Sequence, residues 1–438
     1  MDKYSFFYKI PDNWCWTKLG KITSIIGGGT PSSKINEYYD NGDIAWITPS
    51  DLSNYNNMYI SKGKKMITKL GLMKSSAKLL PKGTVCLSSR APIGYIVIAK
   101  NELSTNQGFK SFLPSKVFKS EYLYWYLKSI KHILEAKASG TTFLELSAKK
   151  AGEVEIPLPP ISEQQRIVNR IESLFAKLDR AKELIENTLA QFEQNKMAIL
   201  HKAFTGELTA KWRKENNIDL SSWKEKTIDE LCTSLKYGTS KKSKTEGSVV
   251  VLRMGNLQNG EIDWSNLMYT DDKEDIEKYL LKKGDVLFNR TNGSADLIGK
   301  TSIYRGEYPA IYAGYLIKLD YGKDIIGEYL NYIMNSNKAR AYCNKIKSSG
   351  ASQFNINAKK IGAFKIPVPT IEEQQEIVNI LDNLLAKYNK IKNLEQQLEK
   401  IELLKKAILA KAFRGELGTN NPDEESAENL LKEILAEK

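Results

Sequence analysis

Apolar residues recur four and three positions apart at Ile167, Ile171, Leu174, Leu178, Ala181, Ile185, Phe192 and Ile199, with Thr188 and Asn195 falling in the same row. That spacing is a heptad seam, an apolar stripe down one side of a long helix, which two polar members weaken without breaking. A second seam runs through Ile377, Leu381, Leu384, Tyr388 and Ile391, then slips by one residue to Leu394, Leu398, Ile401 and Ile408. Pro159-Pro160 with Ser162 and Gln165 mark the start of the first helix as a capping box, and Thr370 with Glu373 mark the second. His201, Lys202 and Gly206 are the matching stop signals. Residues 162–202 would make a helix of about 60 Å. One narrow stripe cannot hold such a helix folded by itself, so the two seams are expected to pack on each other.

The two helices are copies. Residues 157–178 match 367–388 at twelve of twenty-two positions, and 196–208 match 405–417 at ten of thirteen, the offset changing from 210 to 209 where the second seam slips. The preceding segments correspond more weakly: 79–90 with 280–290, 121–127 with 328–334, and 139–150 with 349–360. Both contain short alternating strands, such as "VCLSS" and "DVLFNR", and one amphipathic helix each, at about 121–137 and 328–346. A repeat this long is no solenoid period; the whole unit occurs twice. The expected fold is α+β: two α/β globules separated by two long helices packed on each other, with a pseudo-twofold internal repeat. The boundaries read as a globule over 1–155, a spacer helix over 156–213, a second globule over 214–364, a second helix over 365–417 and an acidic tail over 418–438. The tail's Leu430, Leu431, Ile434 and Leu435 have helical spacing, for a helix that either packs back or meets a partner.

Composition narrows the chemistry. The 438 residues are 41% hydrophobic, as in an ordinary globular protein. They contain no apolar run long enough for a membrane span and do not open as a signal peptide, so a cytoplasmic location and no membrane contact are expected. Cys15, Cys86, Cys232 and Cys343 stand far apart, and His132 and His201 are the only histidines, so neither a metal site nor a histidine triad is expected. Net charge is +13; the segment 419–438 carries six acids against two lysines, which leaves +17 on the rest. Such an excess suits phosphate backbones. The stretch 293–301 approaches a phosphate-binding loop, but five residues rather than four separate Gly293 from Gly299, and a strand pattern rather than a helix follows.

The chain resembles specificity subunits of type I restriction-modification systems. The resemblance is carried by "GGGTPSSK" (27–34), "NGDIAWI" (41–47), "STNQGF" (104–109), "LKKGDVLFNRTNGSADLIGKT" (281–301) and above all by "IPLPPISEQQRIV" (156–168) with its copy "IPVPTIEEQQEIV" (366–378). It implies that each globule is a target-recognition domain for one half of a bipartite double-stranded DNA sequence. The two long helices would pack as an antiparallel coiled coil, forming the spacer between these α/β domains and docking two methyltransferase subunits; motor-nuclease subunits would complete the complex. It also implies that this chain is not an enzyme and binds no cofactor, with S-adenosylmethionine, ATP and Mg belonging to the partners. The sequence has no Asn/Asp-Pro-Pro-aromatic motif for methylating a base; its one Asn-Pro is Asn421-Pro422, in the tail.

Bases are read by Arg, Lys, Asn, Gln, Ser and Thr, and phosphates by cations, hydroxyls and amides. In the first globule those residue types cluster at Thr30, Ser32 and Lys34, at Ser89 and Arg90, at Asn106 and Gln107, and at Thr141 and Thr142. In the second they cluster at Lys241, Lys242 and Lys244, at Asn289, Arg290 and Asn292, and at Gln353. Arg90 and Arg290 read as matching positions after a strand. Glu163, Gln164, Gln165 and Glu373, Gln374, Gln375 serve either as polar first turns or as docking patches for the methyltransferase. Trp46, Trp125 and Trp264 read as packing residues.

Overall fold

Both heptad rows are helical where described in the computed structural model, which describes residues 8–90, 92–140, 144–294, 297–349, 353–389, 392–417, 420–421 and 423–436; Ile391 of the second row lies outside them. One helix runs Ile161–Thr205, and two helical segments, Ile371–Asn389 and Lys392–Phe413, carry the second row. The chain divides into two compact units: Met1–Leu184 with Gln396–Lys438, and Ile185–Glu395. Each unit therefore joins one globule to half of each helical row.

In the first unit a five-stranded sheet is ordered Ile25–Gly27, Phe109–Phe112, Val85–Ser88, Ile96–Ala99, Tyr59–Ile60, and a three-stranded sheet Lys65–Ile67, Ile44–Ile47, Ser104–Thr105. A short antiparallel ribbon pairs Cys15–Lys18 with Glu155–Leu158. The second unit repeats the scheme. A four-stranded sheet is ordered Cys232–Tyr237, Leu316–Tyr321, Val286–Asn289, Thr301–Ile303, a three-stranded sheet Tyr269–Thr270, Val249–Leu252, Ala310–Tyr312, and the ribbon is Lys224–Thr227 with Lys365–Val368. Pro157 and Pro367 sit in these two-stranded ribbons, where a missing N–H costs no central ladder bond.

Within the first unit, Asp179 pairs with Lys405, and Glu402 with Lys182 at 3.3 Å, so the two helical rows run antiparallel. Ile167, Val168 and Ile171 are buried there with Leu409, Ala412 and Phe413 against Tyr122, Leu123 and Trp125 of the globule. In the second unit Leu200 and Ala203 meet Ile377, Val378 and Leu381 against Tyr329, Leu330 and Ile333. Between these ends Leu174, Leu178 and Ala181 are only half-buried, because a pair of helices covers one side of each stripe.

Several local expectations change. The first long helix begins at Ile161, and the Pro160 carbonyl rather than Ser162 takes its first bond, from Gln164 N–H at 2.9 Å. Gln165 hydrogen-bonds forward to Asn169, so the Ser162–Gln165 box does not form. Each expected amphipathic helix is two: Ser120–Ser129 with Lys131–Lys137, and Gly327–Met334 with Asn337–Ile346. In the first pair the Ser129 hydroxyl donates back to the Tyr126 carbonyl; in the second Ser336 caps a new start by accepting from Ala339 N–H. The tail helix Ala427–Ala436 packs back, with Ala427 and Leu431 in the core of the first unit. Gly299 leads into the strand Thr301–Ile303, so no helix opens where a phosphate loop would need one.

Candidate nucleic-acid interface

The joints between globule and helix are built first by the Glu-Gln-Gln copies. Gln164 and Gln374 have no exposed surface. The Gln164 amide accepts from Lys119 N–H and donates to the Val117 and Pro159 carbonyls, at 2.8–2.9 Å. Gln374 accepts from Ile326 N–H and donates to the Asp324 and Pro369 carbonyls, at 2.9–3.0 Å. A tyrosine completes each joint: Tyr122 donates to the Pro157 carbonyl at 2.6 Å, and Tyr329 to the Pro367 carbonyl at 2.8 Å. Burial pushes both hydroxyls well above the ordinary phenol range, so they stay donors. Phe413 meets Tyr122 edge-on at 5.3 Å, and Phe204 meets Tyr329 at 5.5 Å.

Glu163 and Glu373 are equally buried but paired differently. Glu373 takes Arg213, Thr209 (2.6 Å) and the Trp223 indole N–H (2.8 Å). Glu163 takes Arg166, whose guanidinium also holds the tail's Glu424 through two 2.7 Å bonds. That guanidinium keeps the Glu424 carboxyl below its ordinary range. Of the six residues expected to dock a partner, only Gln165 and Gln375 expose their side chains; the other four face inward and spend their polar atoms within the chain.

In the first globule the predicted clusters converge on one edge. Gly29 N–H donates to the Thr105 carbonyl at 2.9 Å, the Trp46 indole N–H fixes the Gly29 carbonyl at 3.0 Å, and Thr30 donates to Gln107. Gly28 lies so close to Asn106 and Thr105 that a Cβ would fall 2.0 Å from the Asn106 carbonyl oxygen, so only glycine fits. Ser89 is fully buried, its hydroxyl and amide both on the Gly108 carbonyl. Asn106 accepts from Gly108 N–H, and Arg90 bridges to Glu145 through its backbone. Ser32 and Lys34 are exposed further along the same loop. Lys110, which the sequence did not single out, pairs with Glu145 at 3.0 Å. Thr141 and Thr142 lie outside the described residues.

The second globule brings Asn289, Arg290, Asn292 and Gln353 together. Asn289 is buried and donates to the Leu297 carbonyl, shaping the loop rather than projecting from it. Asn292 pairs in a small sheet with Phe354, next to the exposed Gln353. Lys241 is drawn to Asp272, Glu274 and Asp275 at the start of the helix Lys273–Tyr279, and its hydrogen bond holds the Asp272 carboxyl below its ordinary range. Lys244 stands 3.8 Å from Asp271, while Lys242 is exposed. Burial opposes ionisation of Asp320, but hydrogen bonds from Lys236, Lys318 and Ser234 hold its carboxyl at about 2.

The two arginines do not match. Val85 faces Phe112 and Val286 faces Leu319 in corresponding strands, which sets Ser89 against Arg290. The hydrogen bonds agree: the Ser89 and Arg290 carbonyls accept from Leu146 and Ile356, which are 210 positions apart, whereas Arg90 bridges Glu145 as Thr291 pairs with Asn355. Sequence reading also missed Tyr237 and Tyr315, 40% and 47% exposed beside Arg290. A signal existed: counted back from the glycines that follow, Tyr237 falls where the first copy has Gly27.

A family model described as the type I restriction modification DNA specificity domain matches residues 11–191 and again 221–403. The EcoKI specificity subunit of Escherichia coli K12 is 28% identical over 456 residues, covering 98% of this chain and 96% of its own length. The MjaIX specificity subunit of Methanocaldococcus jannaschii is 43% identical over 192 residues, 43% of this chain and 44% of its own. A solved chain from work on assembly and conformational transition of the type I R-M system superposes with a TM-score of 0.71 over 94% of this chain and all of its own, at 20% identity. The HsdS subunit from Thermoanaerobacter tengcongensis does so at 0.56 over 94% of this chain and 99% of its own, also at 20% identity. These two likenesses concern the fold. With the specificity-domain model matching once in each half, over most of its length, the chain belongs to the type I restriction-modification DNA specificity family as a specificity subunit.

Proposed function

We propose that this subunit reads a double-stranded DNA target in two parts, one per globule, with the long helices fixing the gap between them. The observation that carries this reading is the repeated joint: Gln164 with Tyr122 and Phe413, and Gln374 with Tyr329 and Phe204, hold different reading edges in the same way. What varies between the copies is the edge; what is kept is its mounting. The +17 charge outside the tail supplies the attraction to phosphates. Two equivalent helix starts, with Gln165 and Gln375 exposed at matching places, offer two methyltransferase subunits equivalent seats. Motor-nuclease subunits, S-adenosylmethionine, ATP and Mg enter with those partners, and the chain itself acts without catalysis.

The test is adenine-methylation mapping by long-read sequencing in cells that express this chain with the methyltransferase subunit encoded beside it, against cells lacking the chain. A new motif of two short blocks around a fixed gap is expected. An unsplit motif, or failure of the two proteins to co-purify, overturns the reading.

A further inference from the structure

The reading edges of the two globules differ at one spot. In the first, Gly27 ends its strand without a side chain, Ser89 is buried, and the nearby cation Lys110 is neutralised by Glu145 at 3.0 Å. In the second, Tyr237 stands where Gly27 does, Arg290 where Ser89 does, Ile317 where Lys110 does, and Asn355 where Glu145 does. The Arg290 guanidinium lies over the Tyr237 ring at 4.9 Å. One of its N–H groups donates to the Gly314 carbonyl at 3.2 Å, while its Nε–H is buried without a partner. Two further polar atoms at the same spot, Thr291 Oγ1 and Asn355 Oδ1, are buried and unpartnered; Thr291 is 5% exposed and is the strand partner of Asn355. Among the described residues no carboxylate pairs with Arg290. The Tyr237 hydroxyl accepts from Ala358 N–H at 2.8 Å, which fixes the ring beneath the guanidinium.

A guanidinium stacked on an aromatic face is immobilised in its plane, and its remaining donors form the fork that fits the O6 and N7 acceptors of guanine. A clamp for phosphate needs only positive charge, which a lysine supplies; the stacking and the unspent donors are useful to a planar, bidentate reader. We propose that Arg290 reads a guanine in the half-site of the second globule and that Tyr237 is its positioning residue. The first globule has no equivalent of either. This rests on the globules being DNA readers.

Methylation mapping of the co-expressed complex tests it with four variants. R290A is expected to lower the preference for one G·C position, in one block only, by roughly 10- to 100-fold, the other block staying intact. R290K keeps the charge and loses the fork, so the same position degenerates. Y237A degenerates that position partly, and Y237F, which keeps the ring face but loses the hydroxyl that fixes it, degenerates it less. Should R290A stop methylation altogether, R290K decides: an unchanged motif identifies a phosphate clamp and overturns the proposal. An unchanged motif with R290A overturns it as well, while the split motif of the unsubstituted chain leaves the broader reading standing. Absence of any split motif with the unsubstituted chain overturns both.

Discussion

At the scale of single residues, the first helical turns hold the largest surprises. Glu373 is a carboxylate with no exposed surface, and Arg213, Thr209 and Trp223 converge on it. Removing the cation leaves a buried charge uncompensated, which costs far more than the intact pair contributes. R213A is therefore expected to destabilise the second unit by about 3–5 kcal/mol, read by thermal unfolding; a change under about 1 kcal/mol would mean that water reaches Glu373. In the first unit the counterpart Glu163 takes Arg166, which also holds the tail's Glu424. The Glu424 carboxyl is held below the ordinary range by Arg166, so its contribution is complete above the ordinary carboxylate pKa and disappears as pH falls through the depressed value. E424Q should weaken the tail's attachment by about 1 kcal/mol at neutral pH and make no difference in strong acid. Hydrogen exchange of residues 423–436 against pH would show it, and a pH-independent difference between the two proteins would refute it. Neither arrangement was legible beforehand. Glu-Gln-Gln in a first turn looks like a solvated cap, and only the carbonyls of Val117 and Asp324, far away in sequence, reveal that the glutamines point inward.

At the scale of elements, hydrophobic periodicity locates the long helices, whereas position after a strand misplaces the arginines. The heptad rows gave both long helices, because a stripe of Ile and Leu has no other way to leave water. The one-residue slip falls at Ile391, outside the described residues. The strands were harder: Gly83 and Gly284 both turn with positive φ, yet Arg90 is the seventh residue beyond its glycine and Arg290 the sixth. Successive strand residues face opposite ways, so a single position changes which side chain reaches the edge. The helices carry the element-scale prediction. Removing one heptad from the middle of both shortens each by about 10 Å, the rise of about three base pairs. On the proposed reading, methylation mapping should find the gap shortened by that amount between unchanged half-sites. A complex that keeps its original gap would show that the helices do not set it.

At the scale of the whole molecule, the two units differ in how the chain assembles them. The second is one continuous stretch, Ile185–Glu395, while the first is made from Met1–Leu184 and Gln396–Lys438. The first globule's Tyr122 and Tyr126 are closed by Phe413, its core by Leu409, and its flank by Leu431. Those covering residues are all more than two hundred positions later in the chain. A ribosome therefore delivers the segment needed to finish the first unit only after every residue of the second has emerged. During that interval the aromatic face around Tyr122 and Tyr126 is without its cover, and the unit begun first is the last to be completed.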